Sequence, residues 1–509
     1  MIVREGRRPR VEPFDQQGVE RGDDGVLRYT GLPGSLVEML RATVEGHADA
    51  EAIVELDGPR ASYRELWDRS ARVAGGLVAA GVARGDRVAI TLTNGLDWCL
   101  AFYGALMAGA VVVPVNTRFS PAEVDYVLTD SGTGYVFRPG EPLPDGEPVV
   151  ADDLVLTDVA AIFYTSGTTG FPKGAVTSHE NFLANTETCK RVMRFPAGER
   201  LRNLVSVPLF HVTGCNSQLL ITNELGGTTV IMPAFDVQRF LRAIEEERID
   251  VLVSVPAIYW LAMNQPNFAE VDVSTVRWVT YGGAPTPPDV VARIKSAFPE
   301  ARVGNGFGLT ETSSVATFLP HEYCGDHPDS VGLAAPVVEL DLAGVDPASG
   351  VGELLVRAQN VVAGYWNKPE ATAATFVDRW LHTGDLADID DDGFVRIVDR
   401  MKDMVNRGGE NVYCVEVENA IAACAGVFEV AVMGVPDEMM GEKVGAIIVP
   451  HPATGLDVDA VLAETASRIA DFKVPQYVVV REEPLPRNPG GKILKPRLRE
   501  DVEWGAPVR

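Results

Sequence analysis

The stretch "DVAAIFYTSGTTGFPKG" (158–174) runs an apolar strand into a loop of glycine, serine and threonine that closes on a lysine. Glycine lets backbone N–H groups turn toward a ligand and lets the ligand approach closely. Thr165, Ser166, Thr168 and Thr169 add hydroxyl donors beside Gly167 and Gly170, and Lys173 adds a positive charge. These types in this order suit the outer phosphates of a nucleotide, with a surface turn as the competing reading. No Gly-Lys-Ser/Thr run stands at the spacing of a Walker A loop.

Three further stretches carry matching chemistry. In "NGFGLTET" (305–312), Thr310 and Glu311 follow a glycine-flanked aromatic; the carboxylate suits Mg²⁺ and Phe307 offers a face for a base. "HTGD" (382–385) places Asp385 in a tight turn, able to accept from both ribose hydroxyls. "PRNPGGKILK" (486–495) sets Lys492 on a glycine-rich loop. Each is weak alone, because a lone Asp in a turn is usually structural; together and in this order they are specific. His321, Cys324 and His327 in "HEYCGDH" stand three apart, but no second cluster accompanies them, so a metal site is not expected there.

The elements that must position these residues read as α/β. Strand-like runs such as "RVAITL" (87–92), "VVVPV" (111–115), "YVFRP" (135–139), "GTTVIMP" (227–233) and "VLVSVP" (251–256) alternate with helical stretches at 62–81 and 236–249. Such alternation predicts parallel sheets covered by helices. From about 332 short strands with turn signals predict a small β subdomain, to about 400. After Arg400 the chain restarts as a compact α+β unit, with the charged "DRMKDM" (399–404) as hinge. The expected organisation is an N-terminal domain over 1–400, with two helix-covered sheets and the β subdomain, then a small mobile α+β domain over 401–509.

The uncharged run from Trp98 to Val115 is long enough for a membrane span. Gly109 interrupts it and β-branched residues follow, which predicts a buried helix ending near Gly109 and then a buried strand. The basic "MIVREGRRPR" has no apolar run behind it and is not read as an export signal. A chain of 509 residues with 46% hydrophobic residues can bury a large core without staples. Net charge −26 opposes non-specific nucleic-acid binding, so any anionic ligand needs a local positive site. Six cysteines without a paired spacing fit free thiols in a reducing, cytoplasmic setting.

The chain resembles the adenylate-forming superfamily: acyl-CoA synthetases, luciferase-like enzymes and peptide-synthetase adenylation domains. It looks most like the bacterial fatty-acyl or aryl-CoA ligase branch. The likeness covers roughly 35 to 500. It rests on "YTSGTTGFPKG", "PLFHVTG" (208–214), "YGGAP" (281–285), "NGFGLTET", "GYWNKPEAT" (364–372), "HTGD", "DRMKDMVNRGGENVY" (399–413) and "PRNPGGKILK".

The resemblance implies a two-step ligase. ATP and a small carboxylic acid give acyl-AMP and pyrophosphate with Mg²⁺, and coenzyme A then takes the acyl group. It implies that Thr165, Ser166, Gly167, Thr168, Thr169, Gly170 and Lys173 cradle the pyrophosphate. It assigns Thr310 to the α-phosphate, Glu311 to the metal and Lys492 to the bridge between both reactants. Asp385 and Arg400 would hold the ribose, while Gly283, Ala284 and Phe307 wall the adenine. His211 would gate an acyl pocket walled by Val212, Gly214, Val255, Tyr259 and Gly282. A core-packed His211 is the competing reading. Lys402 takes the hinge position, and Gly408, Gly409 and Glu410 would meet coenzyme A. Arg407 and Lys473 are candidates for its phosphates, with plain solvation equally open.

Phe210-His211 stands where amino-acid-activating domains carry an Asp, which favours an acid without an α-amino group. Two departures lie in the C-terminal domain: Arg407 where the family usually has Ser, and Cys414 where it usually has Pro. The linker before "AAIFYTSG" is also shorter than the family leads one to expect. Cys414 is read as a packed residue. A carrier protein or a partner ligase as acceptor, a homodimer, and an enzyme performing mainly one half-reaction stay open. Nucleic acid and integral membrane association are not expected.

Overall fold

The computed structural model describes residues 11–165, 172–284, 286–408, 410–451, 455–487 and 493–508. The first sheet comprises β1 (Arg87–Ile90), β2 (Val111–Pro114), β3 (Thr133–Phe137), β4 (Val159–Thr165) and β5 (Lys173–Ser178), in the order β3-β1-β2-β4-β5. The first four pair in parallel, and β5 folds back antiparallel on β4 with Thr165 opposite Lys173.

Helix α1 (Tyr63–Ala79) starts at a capping box in which Ser62 and Glu65 satisfy each other's backbone donors. In α2 (Leu96–Met107) every residue but Asp97 is buried. A helix apolar all round belongs inside the protein, and twelve residues are too few to span a bilayer. Gly109 then takes φ 72°, which turns the chain into the fully buried β2. The helix expected over 236–249 is shorter: it runs Val237–Glu246 from an Asp236 cap, and Arg248 at φ 48° ends it. No described helix is long and apolar enough to cross a membrane.

The second sheet has nine strands. Among them β6 (Val251–Ser254), β7 (Trp278–Gly282) and β8 (Arg302–Phe307) are neighbours. Pairing is parallel from Glu51–Glu55 through Thr228–Ile231, Arg202–Val205, β6 and β7 to β8. Parallel strands send their carboxyl ends to one edge of a sheet, where the following loops make a site. The segments after 205, 254, 282 and 307 therefore share that edge. Helix α3 (His179–Met193) follows β5, and α4 (Pro256–Met263) follows β6.

A third sheet is antiparallel throughout: β9 (Val338–Ala343), β10 (Gly352–Ala358), β11 (Trp380–Ile389) and β12 (Val395–Arg400), with Phe376–Val377 at its margin. Leu333–Ala334 still belongs to the second sheet. The remainder forms a fourth sheet around β13 (Val405–Arg407), β14 (Val427–Asp437) and β15 (Gly441–Pro450), with helices α5 (Cys414–Ala422) and α6 (Lys495–Asp501). It has an apolar cluster of its own that includes Val405, Val417, Ile421, Val432 and Ile448. The architecture is α/β, with a large N-terminal part and a smaller C-terminal one. Trp260 of α4 meets Phe428 of β14 edge-on, with centroids 5.3 Å apart.

Candidate active site

Four segments, three of them motifs, meet at the carboxyl edge of the second sheet. Ser206 and Ser254 hydroxyls lie 3.1 Å apart across adjacent strand ends. Gly282 pairs with Gly306, and a Cβ on Gly282 would sit 2.1 Å from the Gly306 carbonyl oxygen. Only glycine allows β7 and β8 to close there. Gly283 takes φ 75°, and a Cβ there would be 3.7 Å from Val255 Cγ1. The start of α4 and the "YGGAP" turn thus stand side by side.

Thr310 and Glu311 lie in a short helical turn directly after β8. The chain leaves that turn through Ser313 at φ 50° and Ser314 at φ 123°, conformations that cost energy for residues other than glycine. Buried side chains hold it there. Asn216 Nδ2 donates to Ser313 O at 2.8 Å, and Ser217 Oγ donates to Ser314 Oγ at 2.8 Å. Asn185 Oδ1 accepts from Val315 N at 3.0 Å. Asn360 Nδ2 donates to Thr312 O and to Val315 O, each at 2.7 Å. Asn216 and Ser217 stand on a π-helical stretch, Cys215–Leu220, directly after the "PLFHVTG" segment. Such wide turns are rare and recur at functional sites. None of these residues was a candidate from the sequence, because nothing in their spacing marks a buried amide as a support.

Tyr365 is the other residue that sequence reasoning passed over. The segment around it pairs with the first sheet: Trp366 N donates to Gly174 O at 2.7 Å, and Val176 N to Gly364 O at 3.0 Å. This places the Tyr365 hydroxyl 2.7 Å from Glu311 Oε1, and the Lys173 ammonium 5.0 Å from the ring centroid. Burial, and then the Glu311 charge, push the phenol far above its usual range, so it stays protonated and donates. The signal was present in "GYWNKPEAT", which carried the resemblance without a role for its tyrosine.

Asp385 on β11 and Arg400 on β12 are directly opposed, with Arg400 Nε 3.1 Å from Asp385 Oδ1. Asp385 is buried. No tight turn forms at "HTGD": Gly384 at φ 71° lies inside β11, where the register with β10 shifts, and Glu353 Oε1 accepts its N–H at 3.1 Å.

The sequence profile of AMP-binding enzymes matches residues 40–155 and 138–366, and that of the AMP-binding enzyme C-terminal domain matches 416–492. The chain belongs to the AMP-binding enzyme family. Within it, the similarity is to acid–CoA ligases. A feruloyl-CoA synthase from Amycolatopsis sp is 37% identical over 486 residues, covering 90% of this chain and 97% of the relative. A long-chain-fatty-acid–CoA ligase of Mycobacterium tuberculosis is 36% identical over 501 residues, covering 92% and 98%. The solved Bacillus subtilis o-succinylbenzoate CoA synthetase, in complex with an acyl-adenylate intermediate, superposes with TM-score 0.82 at 27% identity, covering 92% and 98%.

The family's motif residues divide into those the fold gathers and those it does not. Val212 is buried and Val255 part-buried near Gly283. Phe307 and Ala284 are part-buried at the ends of β8 and β7. His211 is part-buried as a residue, yet its Nε2 is enclosed and finds no hydrogen-bond partner among the described residues. Burial, and then the Arg118 charge, lower its imidazole to about 4. One expected pocket wall, Tyr259, serves the core, and Gly214 sits against the backbone of "PLFHVTG". Tyr259 is fully buried and donates its hydroxyl to Thr280 O at 2.8 Å. Gly214 is required because a Cβ there would meet Pro208 O at 2.4 Å.

In the C-terminal part, Lys402 is exposed in the turn between β12 and β13. Gly408 takes φ 63°, and a Cβ there would meet Met440 Cε at 2.6 Å. Glu410 is exposed, 3.7 Å from Arg407 Nη1. Lys473 is committed to both Glu416 oxygens at 2.7 Å, so it is not a spare cation for a phosphate. Cys414 is fully buried, and burial raises its thiol, which fits a packed residue. His321 Nδ1 accepts from Val303 N at 2.9 Å and His327 stacks on Phe394, so both carry structural contacts. Ser166, Gly167, Thr168, Thr169, Gly170, Gly409 and Lys492 lie outside the described residues.

Proposed function

We propose that this chain activates an apolar carboxylic acid without an α-amino group and transfers it to coenzyme A. In the first step a carboxylate oxygen bonds to the α-phosphorus of ATP and the bond to pyrophosphate breaks. In the second, the thiol of coenzyme A loses its proton, sulfur bonds to the acyl carbon, and AMP leaves. The observation that carries the reading is the contact chain Lys173–Tyr365–Glu311. It ties the closing lysine of the phosphate loop to a held carboxylate after β8.

Bringing an anion to a polyanionic nucleotide makes charge neutralisation and positioning the main catalytic terms. Glu311 fits Mg²⁺, as a part-buried carboxylate held by one neutral donor. The metal would supply charge neutralisation on the phosphates. Thr310 contacts the α-phosphate and residues 165–170 the departing pyrophosphate, while Lys492 bridges acid and phosphate. Asp385 takes the ribose hydroxyls, oriented by Arg400. Gly283, Ala284 and Phe307 flank the base. His211, Val212 and Val255 bound the acyl pocket, and the lack of an acidic residue at 210–211 disfavours an ammonium there. Lys402 is the pivot that exchanges Lys492 for Gly408, Gly409 and Glu410 between the steps.

The test is pyrophosphate release with ATP and Mg²⁺ over a panel of aryl and fatty acids, with and without coenzyme A, and products read by mass spectrometry. An acyl-CoA from one acid class is the expected result. Acyl-AMP that accumulates despite coenzyme A overturns the second step in favour of another acceptor. No pyrophosphate from any acid overturns the first.

A further inference from the structure

We propose that Cys414 is a positioning residue, a clasp that ties the C-terminal part to β12 across the hinge and sets how readily the chain pivots at Lys402. The inference rests on the reading of Lys402 as pivot. Cys414 is the first residue of α5, and its backbone N–H donates to Asp399 Oδ2 at the end of β12. Its thiol donates to Asp403 O at 2.9 Å. One residue thus bonds to both sides of Lys402. Asp399 is buried, and its other oxygen accepts from Arg400 N at 2.7 Å. Arg400 in turn holds Asp385. The clasp therefore runs from α5 to the ribose-binding pair through one carboxylate.

The two ends of the Asp399–Cys414 bond lie on opposite sides of Lys402, so a rotation there must break it. A hydrogen bond to a charged acceptor is among the stronger ones in a protein. The departure from the family makes the point sharper, since a proline at 414 has neither N–H nor thiol and can make neither bond. The backbone also accepts proline. Position 414 opens a helix, where Pro is tolerated, and Tyr413 before it is extended at φ −82°, ψ 117°, as a residue preceding Pro must be.

The test compares Cys414→Pro, which removes both bonds, with Cys414→Ala, which keeps the N–H, and Asp399→Ala, which removes the acceptor from the other side. The first readout is the distance distribution between spin labels on cysteines introduced at Met439 and Val155, exposed by 89% and 51%. All six native cysteines are buried, so labelling is selective. The second is the ratio of the two half-reaction rates, with acyl-AMP supplied for the thiolysis step. Cys414→Pro and Asp399→Ala are expected to broaden the distribution and to shift the ratio by about tenfold. Cys414→Ala, which loses only the weaker thiol bond, should fall between the parent and Cys414→Pro. Unchanged distributions in Cys414→Pro and Asp399→Ala overturn the clasp, as does Cys414→Ala behaving like Cys414→Pro. If Cys414→Pro fails to fold, Asp399→Ala against Cys414→Ala decides alone. The distances need no turnover, so broadened distributions in a chain that makes no acyl-CoA would retain the clasp and reject the ligase reading.

Discussion

The Tyr365 hydroxyl donates to Glu311 Oε1 at 2.7 Å, and the same ring lies under the Lys173 ammonium. One side chain therefore orients the proposed metal ligand and seats the lysine that closes the phosphate loop. Tyr365→Phe keeps the ring and removes the donor. Pyrophosphate release is expected to fall about tenfold, with a higher Mg²⁺ concentration for half-maximal rate. Lys173→Ala should instead raise the KM for ATP and leave the Mg²⁺ dependence where it was. A Tyr365→Phe enzyme with the parent's Mg²⁺ titration would remove Tyr365 from this role.

Lys492 and Lys402 should separate the two steps. Lys492→Ala is expected to lower adenylation by about 10²–10³, the scale for loss of one preorganised charge-stabilising group. Thiolysis of supplied acyl-AMP should survive. Lys402→Pro fixes the pivot and should impair only thioester formation. Rapid-quench measurement of each half-reaction checks both; a Lys402→Pro enzyme unimpaired in the second step would end the pivot assignment.

His211 makes a signed pH prediction. Its imidazole is lowered to about 4 by burial, against about 6.5 in an unfolded chain. Above pH 6.5 both states hold it neutral, and its contribution to stability is fully present. As pH falls toward 4, the unfolded state takes a proton that the folded state refuses, and up to about 3 kcal/mol is lost. His211→Gln lacks this term. Denaturant melts at pH 7.5 and 4.5 should show the parent losing more stability than the variant. Parallel losses would mean that His211 is not enclosed.

Tyr259 and Val255 distinguish core from pocket. Tyr259→Phe removes the hydroxyl's bond to Thr280 O and should cost about 1 kcal/mol of stability, with the preferred acid unchanged. Val255→Phe should leave stability nearly intact and shift preference toward smaller acids, read from kcat/KM over the panel. A changed acid preference in Tyr259→Phe would return that residue to the pocket.

Local chemistry carried much of this protein into view. Glycine and hydroxyl residues around Lys173, the carboxylates Glu311 and Asp385, and the strand–helix alternation are properties of residue type and spacing, and they suffice for the family and the α/β class. The uncharged run at 98–115 also resolved locally, because Gly109 and the β-branched residues after it can only end a helix. Other features depended on which distant segments meet. Tyr365 earns its place through pairing with β5, 190 residues earlier in the chain by way of a turn no local signal encodes. The buried amides Asn185, Asn216 and Asn360 look like any other asparagines until three separate elements converge on the strained turn after Glu311. Tyr259 reads as a pocket wall until its full burial and its bond to Thr280 O are seen. Lys473 reads as a free cation until Glu416 is seen to occupy it. Residue types determined which chemistry was available; hydrogen bonding and packing between segments remote in sequence decided which groups remained free to perform it.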